Sequence, residues 1–338
     1  MMAACEFDSA LVLGAGSWGT ALASVLGQRG LRVQLWGRDA ELMAQIQAER
    51  CNARYAPMVR LPETVTATAD WGQLQPAPLL VVVTPSLHLA AVVERAAQLP
   101  WVEQVRVAVS CTKGIEAGSG RRMSQLVAAA LPKVVPAVLT GPNHAEEVAR
   151  ELATATVVAC EDGPMVAALQ SAFTLPWMRC YTTADVAGAE WGGALKNPYA
   201  IAAGIAKGLD LGDNAISALV TRALAEMVRL GTAMGGKMET FYGLSGVGDL
   251  VATCYSEHSR NHRVGLALGR GQRLEDILAA MTMVAEGVPN TRSLHSTAQA
   301  CGVRMPLLDE IYAVLYAGKD PRLAMRDLLS RDPRPEAD

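Results

Sequence analysis

The sequence is poor in aromatic and charged residues and lacks the long runs that would mark a membrane span or a nucleic-acid surface. Aromatic residues make up 5% and charged residues 19% of the 338 residues, whereas hydrophobic residues make up 51%. The longest strand-like apolar run, residues 79–83, is far shorter than the roughly 20 residues of a membrane helix. The formal net charge is −3, without a long basic run. We therefore expect neither a nucleic-acid partner nor an integral membrane segment.

Paired cysteines and a secretion signal are also missing. The seven cysteines are scattered and form no C-x-x-C pair. No basic segment precedes the apolar stretch that begins at Ala10, so a signal peptide is not predicted. Scattered thiols of this kind are typical of proteins in a reducing compartment, and we expect a cytoplasmic protein.

The two halves of the chain differ in their hydrophobic patterns. From about residue 188 nearly every window fits a helix, including patterns at 259–268, 274–283, 291–302 and 306–317. The first half instead alternates helical patterns with strand-like runs at residues 9–13, 31–36, 65–68, 79–83, 105–109, 135–139 and 154–159. This alternation predicts an α/β fold with a doubly wound parallel sheet. We predict a sheet-containing domain over residues 1–187 and an all-helical domain over residues 188–338.

A glycine-rich loop follows the first strand-like run and opens a helical pattern, in the segment Gly14-Ala15-Gly16-Ser17-Trp18-Gly19. Gly14 permits a tight turn, Gly16 lets a pyrophosphate approach the backbone, and Gly19 lets helix and strand pack closely. The phosphates would then lie at the helix N-terminus, where free N–H groups favour negative charge. This context predicts a dinucleotide site. We accordingly expect residues 1–187 to form a dinucleotide-binding Rossmann domain and the helical residues 188–338 to form the substrate-binding and catalytic domain.

The end of the second strand-like run bears on the choice between NAD and NADP. An acidic residue there binds the ribose 2′-OH of NAD, whereas an arginine suits the 2′-phosphate of NADP. Arg38 occupies this place, and Asp39 follows one residue later, where it can cap the next helix. The pattern favours NADP and leaves NAD open.

Polar residues in apolar surroundings mark candidate sites further along the chain. Lys113 and Asn143 follow strand-like runs, so both belong at the carboxyl edge of the sheet, and Asn143 can cap a helix. Lys196 lies in a helical pattern rich in glycine and alanine, where burial would lower its pKa towards neutrality, as a proton donor and acceptor requires. Alternatively, Lys196 reaches solvent or pairs with Glu190.

The last candidate segment suits a phosphate. Arg260 can hold a phosphate through two hydrogen bonds, and Asn261 can donate to one. Asp249 can orient the lysine or bind a substrate hydroxyl. His258 and His262 lie four residues apart, the spacing of a zinc pair, but no third ligand is evident and we predict no metal site.

The sequence resembles the bacterial-type NAD(P)-dependent glycerol-3-phosphate dehydrogenases. The matching segments run in order along nearly the whole chain: GAGSWGTALA at 14–23, TPS at 84–86, CTKGIE at 111–116, GPNHAEEVA at 141–149, GGALKN at 192–197, GVGDLVATC at 246–254, SRN at 259–261 and AEGV at 285–288. Such an ordered set is far more specific than a glycine motif alone.

The resemblance implies reversible reduction of dihydroxyacetone phosphate to sn-glycerol 3-phosphate with NAD(P)H, supplying glycerol phosphate for phospholipid synthesis, in a homodimer. It implies that Lys196 is the catalytic acid and base. It also implies that the glycerol phosphate is bound by Lys113, Gly141, Asn143, Lys196, Asp249, Ser259, Arg260 and Asn261. The implied cofactor contacts are Gly14, Gly16, Ser17, Trp18, Gly19, Arg38, Tyr55, Lys113, Ala145, Arg260, Val284 and Glu286.

The chain departs from the family pattern at three places. Asn143-His144 replaces a common Ser-Phe pair, and Thr84 replaces a valine. Pro198 follows Asn197 where the family usually has an aliphatic residue, and a proline removes an amide donor and would kink a continuing helix.

Two other functions remain as alternatives. One is a related NAD(P)-dependent dehydrogenase of a 3-hydroxy acid or a sugar acid, which would need a carboxylate clamp. The other is a non-catalytic NAD(P)-binding sensor, which would have no use for a proton-transferring lysine.

Overall fold

An eight-stranded sheet and a separate two-stranded hairpin occupy the first half of the chain. The computed structural model describes residues 6–332 and 335–336, so Cys5 and part of the tail lie outside the described residues. The strands are β1 (Ser9–Leu13), β2 (Arg32–Trp36), β3 (Cys51–Asn52), β4 (Ala56–Arg60), β5 (Val65–Thr68), β6 (Leu79–Val82), β7 (Val107–Ser110), β8 (Val135–Thr140), β9 (Thr154–Ala159) and β10 (Met178–Thr183).

The order of strands in the sheet is β10-β9-β8-β7-β6-β1-β2-β5. The strand order reverses between β1 and β6, so a crevice opens at their carboxyl ends. All neighbours are parallel except β8 and β9, which pair antiparallel. The predicted doubly wound parallel sheet is therefore present, with one antiparallel pair in it. The connection from β8 to β9 contains a helix of only four residues. At about 1.5 Å per residue, such a helix does not carry the chain back along a strand.

Helices cover both faces of this sheet, which confirms the doubly wound class. They are α1 (Ser17–Gln28), α2 (Ala40–Glu49), α3 (Ser86–Ala96), α4 (Met123–Ala130), α5 (Ala145–Val148) and α6 (Gly163–Phe173). Alternate residues of β1 pack in two different hydrophobic cores, because side chains alternate between the faces of a strand. Val12 packs in the core with Leu22 of α1, whereas Leu13 packs in the core with Leu89 of α3.

The second half of the described chain is helical. Its helices are α7 (Val186–Gly208), α8 (Gly212–Ala233), α9 (Met238–Phe241), α10 (Asp249–Tyr255), α11 (Arg260–Gly269), α12 (Leu274–Ala279), α13 (Gly287–Ala300), α14 (Pro306–Tyr316) and α15 (Pro321–Leu329). A π-helical turn, Leu244–Gly248, precedes α10. Strand β10 ends at Thr183 and α7 begins at Val186. The domain division between residues 187 and 188 stays a prediction.

Helix α7 is the central element of the helical half, and its residues from Gly188 to Ala206 are buried. The helix continues through Pro198 to Gly208, so the proline does not end it. Gly204 allows the close packing of α7 on α11, because a Cβ there would lie 2.1 Å from the carbonyl oxygen of His262. This packing brings Lys196 on α7 near the start of α11. None of the described helices combines the length and apolar character needed to cross a membrane.

Candidate functional site

A cleft of about 510 Å³ lies between the carboxyl edge of the sheet and the helical half. Most of the residues singled out in the sequence line it: Gly14, Gly16, Ser17, Trp18, Gly19, Arg38, Tyr55, Lys113, Asn143, Ala145, Lys196, Ser259, Arg260, Asn261, Val284 and Glu286. Gly141 and Asp249 do not line the cleft, but both accept a hydrogen bond from Lys113. The tertiary structure therefore gathers residues from both halves of the chain in one place.

The glycine loop between β1 and α1 fits a dinucleotide. Gly14 has φ +126°, and a Cβ there would lie 2.6 Å from the carbonyl oxygen of Val83. A Cβ on Gly19 would lie 1.8 Å from the carbonyl oxygen of Gly14, whereas one on Gly16 would meet no atom within 4 Å. Gly14 and Gly19 are thus required by the fold, and Gly16 leaves open space where a pyrophosphate can approach the N-terminus of α1.

Asp249 bridges two lysines that line the same cleft as this loop. Its Oδ2 accepts from Lys113 Nζ at 2.7 Å, and its Oδ1 accepts from Lys196 Nζ at 2.6 Å. The side chains of Lys196 and Asp249 are 7% and 2% exposed. Burial, assisted by the charge of Lys113, lowers the pKa of Lys196 to about 8. Burial alone would raise the pKa of Asp249, but the two lysines together hold it below its usual value.

Thr253 also contacts Lys196 and was missed in the sequence. Lys196 Nζ donates to Thr253 Oγ1 at 2.6 Å, and this hydroxyl donates to the carbonyl oxygen of Asp249 at 2.6 Å. Because its proton is used in this way, the hydroxyl offers an oxygen lone pair to the lysine. The helical spacing could have revealed it, since Thr253 lies one turn after Asp249 on the same face of α10.

Glu190, the alternative partner of Lys196, is engaged elsewhere. Its carboxylate accepts from the Ser124 main-chain N–H at 2.7 Å and from Arg122 Nη1 at 2.6 Å. It therefore joins α7 to the first turn of α4 rather than neutralising the lysine. Lys196 does not reach solvent either, because its whole residue is only 6% exposed.

Three asparagines hold the loop that carries Lys113. The carbonyl oxygen of Lys113 accepts from Asn290 Nδ2 at 2.9 Å and from Asn197 Nδ2 at 3.3 Å. Asn197 Oδ1 accepts in turn from Asn261 Nδ2 at 2.9 Å, and Asn261 Oδ1 accepts from the Gly287 N–H at 2.9 Å. The side chain of Asn261, which the sequence suggested as a phosphate donor, thus makes hydrogen bonds within the protein. Asn290 was not identified from the sequence, because no local pattern links it to Lys113.

The start of α11 lies in the cleft next to a second segment from the helical half. Ser259 is the N-cap residue, and its hydroxyl accepts from the His262 N–H at 3.1 Å. Arg260 Nη1 donates to the carbonyl oxygen of Val284 at 2.8 Å, and burial lowers the pKa of Arg260. His258 precedes the helix, so it does not share a helix face with His262. In residues 6–332 and 335–336, no group of three or more His, Cys, Asp or Glu is placed to hold a metal.

Asn143 lies in the cleft but does not cap a helix, contrary to the prediction. His144 is the N-cap residue of α5. Asn143 Nδ2 donates to the carbonyl oxygen of Ala155 at 3.0 Å, and its Oδ1 accepts from Thr156 Oγ1 at 3.0 Å. The difference arises because β9 lies alongside β8 and offers these partners, which the local sequence does not reveal.

The segment before α13 forms part of the lining of the cleft. Glu286 accepts from the Ser86 N–H at 2.9 Å and from Ser86 Oγ at 2.6 Å, at the first turn of α3. Met283 Sδ lies 3.9 Å from Ser17 Oγ in the glycine loop. Glu286 therefore joins the helical half to the sheet half at the edge of the cleft.

The fold and the cleft define a dinucleotide-dependent dehydrogenase, in which the sheet half carries the glycine loop and the helical half carries the buried lysine. Residues 9–166 match the family model described as NAD-dependent glycerol-3-phosphate dehydrogenase N-terminus. Residues 185–326 match the model for the C-terminus of the same family. The chain therefore belongs to the NAD-dependent glycerol-3-phosphate dehydrogenase family.

Individual relatives agree over nearly the whole length. The glycerol-3-phosphate dehydrogenase [NAD(P)+] of Moorella thermoacetica is 47% identical over 313 residues, which is 92% of each chain. The protein of the same description from Geobacter sulfurreducens is 45% identical over 329 residues, covering 96% of this chain and 98% of its own. The crystal structure of glycerol-3-phosphate dehydrogenase from Coxiella burnetii has a TM-score of 0.92 at 40% identity, covering 96% of this chain and 99% of that one.

Proposed function

We propose that this protein reversibly reduces dihydroxyacetone phosphate to sn-glycerol 3-phosphate with NAD(P)H. The observation that carries the proposal is the carboxylate of Asp249, which holds together Lys113 and Lys196, two lysines that line the same cleft as the glycine loop. Relatives described as glycerol-3-phosphate dehydrogenase [NAD(P)+], at 47% and 45% identity, support the same substrate and cofactor.

The glycine loop and the N-terminus of α1 would hold the phosphates of the dinucleotide. When bound, the nicotinamide supplies a hydride for the carbonyl carbon of the ketone. Ser17, Trp18, Arg38, Tyr55, Ala145, Val284 and Glu286 would surround this cofactor, since they line the same cleft as the loop.

Lys196 transfers the proton. In the reduction, its ammonium group donates a proton from Nζ to the oxygen of the ketone as negative charge develops there, and in the oxidation the neutral amine accepts it. A pKa of about 8 allows both forms near neutral pH. Asp249 and Thr253 fix the position of Nζ through two hydrogen bonds of 2.6 Å each.

Lys113 supplies positive charge near the same oxygen. Its ammonium group lies 2.7 Å from Asp249 and its side chain is 20% exposed, so it faces the cleft more openly than Lys196. A fixed positive charge in a poorly hydrated cleft stabilises a developing alkoxide more than it stabilises the neutral ketone.

The substrate phosphate binds at the start of α11. Arg260 offers a guanidinium, and the first N–H groups of α11 have no acceptor within the helix. Because the side chain of Asn261 is bonded to Asn197 and Gly287, its contribution comes from its main-chain N–H. Gly141, Asn143 and Ser259 complete the surroundings, and the phosphate anchors the ketone for hydride transfer.

The proposal is tested by measuring the oxidation of NADPH and of NADH by the purified protein with dihydroxyacetone phosphate. We expect turnover with this ketone and a dependence on its phosphate, so that unphosphorylated dihydroxyacetone reacts far more slowly. Turnover of a 3-keto acid but not of dihydroxyacetone phosphate would show that the enzyme is a 3-hydroxy-acid dehydrogenase instead. Cofactor binding without any oxidation would indicate a sensor.

We further propose that the enzyme works in the cytoplasm as a homodimer and supplies glycerol phosphate for phospholipid synthesis. The six described cysteines are all free thiols, which supports a reducing compartment. The resemblance to the bacterial-type enzymes supports the dimer and the metabolic role. Sedimentation equilibrium at micromolar protein concentration tests the dimer, and a single species of 35.7 kDa would contradict it.

A further inference from the structure

The turn between β3 and β4 is held firmly against the glycine loop. Asn52 is fully buried, and its amide nitrogen donates to the carbonyl oxygen of Ala15 at 2.9 Å and to Thr20 Oγ1 at 2.8 Å. Its amide oxygen accepts from the Tyr55 N–H at 3.1 Å. Arg54 lies within this turn and lines the cleft. The position of its backbone is therefore tied to the loop that would bind the dinucleotide phosphates.

Asp39 follows the end of β2 and contacts Arg54, and each of its carboxylate oxygens accepts a hydrogen bond. Oδ1 accepts from the Leu42 N–H at 3.1 Å and caps α2, and Oδ2 pairs with Arg54 Nη1 at 2.9 Å. An acid at the end of the second strand binds the ribose hydroxyls in NAD-specific proteins, and Asp39 is the first acid after that strand. Here the Asp39 carboxylate is committed to the helix cap and to an arginine, so it is poorly suited to that role.

Arg54 retains donors for a ligand. Its side chain is 59% exposed, and the only hydrogen bond of its guanidinium among the described residues is the one from Nη1 to Asp39. A guanidinium carries five N–H donors, and its planar shape matches two oxygens of a phosphate. Arg38 is exposed and lines the same cleft. Two arginines and one aspartate leave this end of the cleft with net positive charge.

We propose that Arg54 binds the 2′-phosphate of NADP together with Arg38, against the repulsion of the neighbouring Asp39 carboxylate. The inference rests on the proposed function only in that the cleft binds a dinucleotide. Arg54 would thus be a second arginine, besides Arg38, that favours NADP over NAD. It belongs to a hairpin outside the main sheet.

The proposal is tested by calorimetric titration of the full-length protein with two nucleotides, adenosine 2′,5′-bisphosphate and adenosine 5′-monophosphate. In Arg54→Gln we expect binding of the bisphosphate to weaken by about 10-fold, the lower end for a charged hydrogen bond at an exposed site, with binding of the monophosphate unchanged. Arg60→Gln is the matched control, because Arg60 lies in the same hairpin but lines a different cavity. It should change neither affinity.

A second variant tests the role of Asp39. Asn is a good N-cap residue, so Asp39→Asn preserves the cap of α2 while removing the negative charge beside Arg54. We expect bisphosphate binding to strengthen by about 3-fold, because an interaction between exposed charges changes an affinity by less than about 10-fold. Monophosphate binding should stay unchanged. Unchanged bisphosphate binding in Arg54→Gln, or an equal loss for both nucleotides, would overturn the proposal. Neither titration involves the ketone, so a lack of turnover with dihydroxyacetone phosphate would refute the proposed function alone.

Discussion

Lys113 and Lys196 share a single carboxylate: their ammonium nitrogens lie 2.7 Å and 2.6 Å from the two oxygens of Asp249. The carboxylate balances one of the two positive charges, so these three side chains together keep one positive charge when both lysines are protonated. The pair also differs in exposure, because the Lys196 side chain is 7% and the Lys113 side chain 20% exposed. In the proposed function the two lysines therefore have different roles, since Lys196 transfers the proton and Lys113 stabilises charge.

Replacing Lys196 should abolish proton transfer while leaving cofactor binding intact. In Lys196→Ala we expect kcat to fall by about 10³–10⁴-fold, the upper part of the range for loss of a general acid. The affinity for NADPH, measured by fluorescence titration, should change little. Lys207→Ala is the control, because Lys207 is an exposed lysine on the same helix. Turnover close to that of the wild type would remove Lys196 from the chemistry.

The pH dependence of turnover should follow Lys196. Because burial lowers its pKa to about 8, its protonated form is lost as the pH rises through about 8. The reduction needs this form and should slow by about 10-fold per pH unit above that value, whereas the oxidation needs the neutral amine and should rise up to it.

Asp249→Asn tests the assignment of this titration. The charge of Asp249 raises the pKa of Lys196, so its removal should move the decline of the reduction to lower pH. The measurement is kcat for dihydroxyacetone phosphate between pH 6 and 10, which extends ~2 pH units on each side of the expected midpoint near pH 8. A midpoint that stays in place in Asp249→Asn would show that another group controls the rate.

Arg260→Ala should mainly raise the KM for the phosphorylated ketone. A charged hydrogen bond to phosphate is worth about 1.5–3 kcal/mol, so we expect a rise of about 10–100-fold, with a smaller effect on kcat. Arg263→Ala is the control, because Arg263 lies on the same helix, is exposed and does not line the cleft. If both variants have the KM of the wild type, the phosphate does not bind at the start of α11.

Glu190→Ala should destabilise the contact between the two halves of the chain. The side chain of Glu190 is 2% exposed, and its loss would leave Arg122 and the Ser124 N–H without this acceptor. Removing one partner of a buried ion pair costs about 3–5 kcal/mol in the free energy of unfolding. Urea denaturation measures this change, and Glu190→Gln should lose less because the amide oxygen can still accept from Ser124. A loss below about 1 kcal/mol would show that the contact is not needed for stability.

The sequence indicated where most of the site would be found. Lys113 and Gly141 follow strands of a doubly wound sheet, and such ends meet along one edge. Hydrophobic periodicity also predicted the bounds of α11 and α14 to within about two residues, because apolar residues recur every three or four positions on the buried face of a helix. Patterns were less informative for short or edge elements. The hairpin of β3 and β4 and the strand β10 were not predicted, and the helix expected over residues 274–283 ends at Ala279.

The sequence by itself determined the fold class, the glycine loop and the identity of the central lysine, because each depends on the residue types at neighbouring positions. Only the tertiary structure decided the partners: Asp249 for both lysines, Thr253 for Lys196, and Asn290 for the carbonyl oxygen of Lys113. It likewise turned the side chain of Asn261 inward, and it brought Arg54 against Asp39. Most of these contacts join residues far apart in the chain. They depend on how helices and sheet pack, which local spacing does not encode.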